Sequence, residues 1–196
     1  MFEEAGPLGK GITVGQVSVC VRDGHDMINK LNIIATKHSG TSPTALSKLA
    51  GETALALLRA SDDWISACGK KSKYATKDAG KAESDFNRMA TTLASKYEKE
   101  YPPEAPSSSS SSPPPPSSSV AVVTLLLEIT GDETAFDIAG KSFSQTKESL
   151  QSIAADVGCD GGRVLNGVEV FWCPGDRKEL LEEADVLLDF PELRSL

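Results

Sequence analysis

Few residues in this chain are of types that do chemistry, and their spacing brings none of them into a known constellation. His25 and His38 are the only histidines. Cys20, Cys68, Cys159 and Cys173 lie far apart with no C-x-x-C pair, so neither set has zinc-ligand spacing. Four cysteines in 196 residues do not make a disulfide scaffold, which favours buried or free thiols in a reducing compartment and leaves a single bridge as the alternative. No Ser/His/Asp, Cys/His or paired-carboxylate arrangement can be argued from the spacing. One stretch looks like a phosphate loop: Ala135-Phe-Asp-Ile-Ala-Gly140-Lys141-Ser142 follows an apolar run and precedes a helical pattern, as a Walker A loop with its first glycine replaced would. A phosphate cradle needs small residues so that backbone amides converge, whereas Phe136 and Ile138 are bulky and Asp137 would oppose the phosphates. The reading is therefore a protein without catalytic residues, cofactor or metal, with a nucleotide-binding enzyme using residues 135–142 as a distant alternative.

The elements that must position any site are clearer. Ser42 to Trp64 reads as a buried amphipathic helix: Ser42 caps it, Pro43 sits where a missing N–H costs nothing, and Leu46, Leu49, Thr53, Ala54, Leu57 and Leu58 share one face. Ser61-Asp62-Asp63 ends it and leaves Trp64 placed to fold back onto it or to open another short helix. Before it, Ile12 to Arg22 alternates as a strand, and Met27, Ile28, Leu31, Ile34 and Ala35 mark a helix that ends at a solvated His38. After it come a Lys-rich connection, Gly69 to Lys73, and a long helix from Thr76 to Glu100 whose stripe Ala82, Phe86, Met89, Leu93 and Tyr97 is expected to pack on the Ser42 helix.

Residues 102–119 run Pro-Pro-Glu-Ala-Pro, six serines, four prolines and three serines, a disordered linker with nothing to bury. Beyond it lie an apolar strand from Val120 to Thr130, a short edge strand at Phe136 to Ile138 and a helix capped by Ser142 and Gln145. A strand from Val164 to Cys173 and a final helix capped at Asp176 and Glu179 complete the order. The expected fold is α+β: a small three- to four-stranded sheet packed with helices, its strands drawn from both ends of the chain and a helical block between. In domain terms this is a flexible lead at 1–11, a strand plus helical block at 12–101, the linker at 102–119, and a β-α-β-α half at 120–196 that completes one domain with 12–101. If the strands at Val120 and Val164 are adjacent, their single intervening helix implies a parallel, right-handed crossover.

The charge is uneven: 14 Lys and Arg face 12 Asp and Glu in residues 1–101, against 6 and 16 in residues 102–196. An acidic chain with no basic stripe argues against a nucleic-acid partner. No apolar run approaches the roughly 20 residues of a spanning helix, so a membrane would be met only peripherally, and Lys70, Lys71 and Lys73 read as a solvated loop. The acidic start, Met-Phe-Glu-Glu, is neither a signal nor a transit peptide.

Four segments in order carry a resemblance: Ile12 to Arg22, Thr41 to Trp64 with Glu-Thr-Ala-Leu-Ala-Leu-Leu-Arg, Val120 to Ile129, and Val168 to Pro174 ending Phe-Trp-Cys-Pro. Taken together, the chain resembles a cyanobacterial and chloroplast family of unknown function that includes the plant fluctuating-light acclimation protein. The resemblance implies a non-enzymatic regulatory or binding module of the chloroplast, peripheral to the thylakoid or envelope membrane, with a protein partner, acting in photosynthetic acclimation and photoprotection. A structural accessory subunit of a photosynthetic membrane complex is the alternative. Family members usually carry a transit peptide and a hydrophobic segment ahead of this region, which points to a processed or truncated form here. Glu52, Arg59, Trp64 and Trp172 match recurring positions and are the candidate interface residues. Glu52 and Arg59, seven apart, fall on one helical face two turns from each other.

Overall fold

In the computed structural model, which describes residues 5–102, 119–176 and 179–196, the two halves of the chain build one sheet. The chain orders its elements as β1 (Ile12–Arg22), α1 (Gly24–Lys37), α2 (Pro43–Arg59), β2 (Trp64–Tyr74), α3 (Ala79–Tyr97), β3 (Val120–Thr130), α4 (Phe143–Asp156), β4 (Leu165–Cys173), α5 (Glu183–Asp189) and β5 (Arg194–Ser195). The sheet runs β4-β3-β1-β2-β5 with every neighbouring pair antiparallel. The class is α+β as expected, but the sheet has five strands rather than three or four.

β1 and β3 pair along their whole length, from Ile12 opposite Thr130 to Arg22 opposite Val120. Each is buried on both faces because each face is covered. Val17, Val19 and Val21 of β1 and Val123, Leu125 and Leu127 of β3 meet Met27, Ile28 and Leu31 of α1, Ala54 and Leu57 of α2, and Leu150 and Ile153 of α4. On the other side Val14, Cys20, Val122 and Leu126 meet Phe86, Leu93 and Tyr97 of α3, with Val186 and Phe190 around α5. Helices thus lie on both faces of an antiparallel sheet. The α3 stripe is buried on the face opposite α2, so the expected packing of α3 on the Ser42 helix is corrected: sheet burial satisfies the same apolar period.

The Lys-rich connection at Gly69 to Lys73 is the outer half of β2. It reads as a loop because an edge strand carries lysines that discourage further pairing, and β2 meets β5 only at Ser66 and Ala67. The parallel crossover is also corrected. After β3 the chain does not enter α4 at once; residues 131–142 run back along the sheet, burying Phe136 completely. Phe143 then starts α4 against Trp64, with ring centroids 5.2 Å apart, at the end of the sheet where β3 began. α4 returns the chain to the far end, Leu165 pairs with Ile129, and β4 is antiparallel. The short strand expected at Phe136 to Ile138 is a turn within this return. The last helix starts later than expected, at Glu183, capped by a Glu182–Asp185 box rather than at Asp176.

Residues 5–11 are not a loose lead. Leu8 is buried, its carbonyl accepts from the amides of Asp132 and Glu133, and Gly131 N donates to Gly11 O. The serine and proline tract at 103–118 lies outside the described residues. Its flanks are anchored on adjacent residues: Leu180 N donates to Pro102 O at 2.9 Å and Val120 N to Leu181 O at 2.9 Å. Replacing 103–118 with a short Gly/Ser connection should change unfolding free energy by no more than about 1 kcal/mol, since loop closure varies slowly with length; a urea melt checks this.

Phe136 fits only because two strands carry glycine beneath it. A Cβ at Gly15 would sit 2.3 Å from the Phe136 ring and one at Gly69 2.0 Å from its carbonyl oxygen. Gly69→Ala and Gly15→Ala should each destabilise by about 1–3 kcal/mol through overpacking. Gly80→Ala on α3, where an added Cβ meets nothing within 4 Å, should instead stabilise by about 0.5–1 kcal/mol. Denaturant melts of the three variants test both signs.

Candidate functional site: the groove between α1 and α2

α1 and α2 form a helical pair joined by residues 38–42. Both bury one face in the sheet, so the next residues around each helix are left outside the core. These are Ile33 on α1, 67% exposed, and Leu55 on α2, 39% exposed. Between them runs a groove of about 490 Å³ whose other walls include Lys30, Lys37, Glu52 and Arg59. The two charged residues singled out in the sequence therefore share one surface without pairing, as their seven-residue spacing requires. Lys37 Nζ reaches both Glu52 oxygens at 3.0 and 3.3 Å. His38 is buried rather than solvated, with Nε2 2.9 Å from Glu52 Oε1 and outside hydrogen-bond alignment. The Lys37 hydrogen bond, followed by the His38 contact, holds the Glu52 carboxyl below its ordinary range. Lys30 pairs with Asp26 one turn back. Arg59 forms no ion pair among the described residues, so the groove is apolar at its centre with one unpaired cation at a rim of otherwise paired charges.

The tryptophans stand elsewhere. Trp64 is buried beneath α2, and its Nε1 donates to Leu57 O at 3.0 Å, closing the helix end onto β2. Trp172 is half-buried on the edge strand β4, opposite Val123 and against the same core. Neither lines the groove.

A family model described as "Protein of unknown function (DUF1517)" matches residues 11–196, which spans all five strands and all five α-helices. The chain belongs to the DUF1517 family. No curated protein and no solved structure matches it. The match opens at the glycine before β1 and so covers the whole sheet.

Elsewhere in this DUF1517 domain three of the four cysteines are buried free thiols. Burial pushes the Cys20 thiol up to about 12 and the Cys173 thiol to about 11, which keeps both protonated. Among the described residues no group of three His, Cys, Asp or Glu side chains converges as metal ligands, and no helix is long and apolar enough to cross a membrane. The loop at 135–142 is organised around Phe136, and its amides are spent internally. Ala135 N donates to Ser152 Oγ, Gly140 N to Thr146 Oγ1, Ala139 N to Phe136 O and Lys141 N to Ile138 O. Such a loop has no free row of donors for a phosphate chain.

What sequence reasoning missed is the polar face of β2 toward α3. Ser66, Cys68, Lys70 and Ser72 alternate there, opposite Cys20, Ser18, Gln16 and Val14 of β1. The period-2 signal was present in Ser-x-Cys-x-Lys-x-Ser but was masked by the lysines between.

Because the Glu52 carboxyl is lower in the folded chain than in the unfolded one, its contribution is fully present above the ordinary value of 4.5 and is lost as pH falls through the depressed one. Glu52→Gln should therefore flatten the acid limb of a melting-temperature profile below that value, with little effect on its shape near neutrality.

Proposed function

We propose that the chain is a non-enzymatic regulatory module of the chloroplast, peripheral to the thylakoid or envelope membrane, that acts in acclimation and photoprotection under fluctuating light by docking a protein partner in the α1–α2 groove. The compartment and process rest on the resemblance to the plant fluctuating-light acclimation protein. The docking surface rests on one observation: Ile33 and Leu55 stand exposed in a groove rimmed by Lys30, Lys37 and Arg59, with Glu52 already engaged by Lys37, on a chain whose net charge is −8. Exposed apolar side chains ringed by charge mark interaction sites, and the sign of the rim selects an amphipathic segment with acidic flanks.

Placing a photo-crosslinking residue at Leu55 in plastids should capture one membrane-associated protein through an acidic amphipathic segment. Ile33→Asp and Arg59→Glu, which leave the core untouched, should abolish capture and impair the rise of non-photochemical quenching when light fluctuates. Capture that survives both variants would refute the groove. Stoichiometric co-migration with one large complex after mild solubilisation would instead favour an accessory subunit.

A further inference from the structure

Away from the α1–α2 groove, the open edge of β2 borders two recesses that meet at Lys70 and Glu192. The first, about 390 Å³, is bounded by Cys68 and Gly69 of β2, by Lys141, by Asp137 and by Arg194 of β5. The second, about 410 Å³, lies between β2 and α3, with Gln16 at its floor and Ser72 and Thr92 on its walls. Lys70, Lys141 and Arg194 make no ion pair among the described residues. The three carboxylates present are already engaged: Glu192 Oε1 takes Lys96 Nζ at 2.6 Å, Asp137 Oδ1 takes Lys71 Nζ at 3.3 Å, and Asp85 holds Arg88 and accepts from the Tyr74 hydroxyl at 2.8 Å. Lys141 also immediately precedes Ser142, the N-cap of the 14-residue helix α4, so its charge adds to the positive end of that helix.

Three uncompensated cations around one recess are unusual on a chain with net charge −8. The α1–α2 groove has one, Arg59, over an apolar floor. From this we propose that the recess at Lys70, Lys141 and Arg194 binds a phosphate monoester, with the rest of a hydroxyl-rich ligand lying over Gln16, Ser72 and Thr92. A guanidinium flanked by two ammonium groups suits a tetrahedral dianion better than a single carboxylate. Gln16 is 4% exposed, and its Nε2 is committed to Ser18 Oγ at 3.0 Å, which fixes the amide and turns its carbonyl oxygen into a positioned acceptor for a hydroxyl. The site lies at the open edge of β2 and shares no lining residue with the α1–α2 groove.

The phosphate has two sources. It can be carried by a free metabolite, or by a lipid headgroup, because the recess adjoins at Pro191 an apolar pocket of about 320 Å³ lined by Ile65, Val186, Phe190 and Leu193, next to the exposed Leu187. Calorimetric titration of the full chain with inorganic phosphate and sn-glycerol 3-phosphate probes the first source. Co-sedimentation with phosphatidylcholine vesicles, with and without phosphatidic acid, probes the second. Saturable binding in either arm is expected, with glycerol 3-phosphate tighter than phosphate, and the responding arm identifies the source. Lys70→Ala, Lys141→Ala and Arg194→Ala, all at exposed positions, should each weaken binding by about tenfold, while Lys30→Ala in the α1–α2 groove should not. The proposal is overturned if neither arm binds, or if the three variants, with parental melting curves, bind as the parent does. Equal weakening by Lys30→Ala would overturn it too, as non-specific charge.

Discussion

The placement of Phe136 over Gly15 and Gly69 is the constraint on which the rest of this structure depends. Phe136 is fully buried where two neighbouring strands carry no side chain, and its carbonyl lies almost against Gly69. That anchor draws residues 131–142 back across the sheet instead of letting them lead directly into a helix. Because the chain has already returned, α4 starts beside Trp64 and finishes at the far end, so β4 must enter antiparallel to β3. The same anchor holds Gly140 against the backbone of Ala67 and Cys68. Lys141 is thereby brought to the open edge of β2, where it faces the recess shared with Lys70 and Arg194.

A second constraint acts within the sheet. The α3-facing side of β1 and β3 is not uniformly apolar: Gln16, Ser18 and Thr124 are buried there together with Tyr97. Buried hydroxyls cost free energy unless paired, and these pair with one another. Ser18 Oγ lies 2.5 Å from Thr124 Oγ1, which lies 2.6 Å from the Tyr97 hydroxyl, and Gln16 donates to Ser18. The chain of contacts ties α3 to both central strands at one register. A purely apolar stripe on α3 could slide; a phenol that must reach Thr124 cannot. Burial also pushes the Tyr97 hydroxyl well above its ordinary range, so it stays neutral in this network.

The sequence made the local elements legible where a single period dominated. Ser42 caps α2 through Ala45 N and Ser142 caps α4 through Gln145 N, each as residue type and spacing required, while of the two placements open to Trp64 the ring folds back onto Leu57 and the backbone opens β2 rather than a short helix. Long-range choices were less visible. β2 carries Trp64, Ala67 and Cys68 in its covered half and lysines in its open half, so two environments divide one strand and neither gives eight residues of one pattern. Phe136 and Ile138 looked like an edge strand because an apolar anchor and a strand share composition over three residues. Of the candidate interface residues, Glu52 and Arg59 were read correctly as sharing a helical face. The tryptophans could not be assigned without knowing which face each strand buries: a ring beside a helix end and a ring on an edge strand look alike in sequence, yet Trp64 is a strut and Trp172 a partly covered edge residue.

The α1–α2 groove and the recess at the open edge of β2 are separated by a sheet whose central strands are almost entirely buried, and this bears on how they could act together. Energetic coupling needs an element with two discrete arrangements that both sites bias. β1 has neighbours on both edges and covered faces on both sides, so it offers no low-cost second register: a one-residue slip would exchange Val17 and Val19 for Gln16 and Ser18 across the core. The open edge of β2 and the short β5 are different, since they share only two paired positions and the bond from Leu196 N to Ile65 O. An anion held by Lys70 and Arg194 would bridge those two strands and stiffen the C-terminal edge, leaving α1 and α2 as they are. The architecture therefore leaves the α1–α2 groove fixed by the core, and the C-terminal edge is the part that an anion at Lys70 and Arg194 would stiffen.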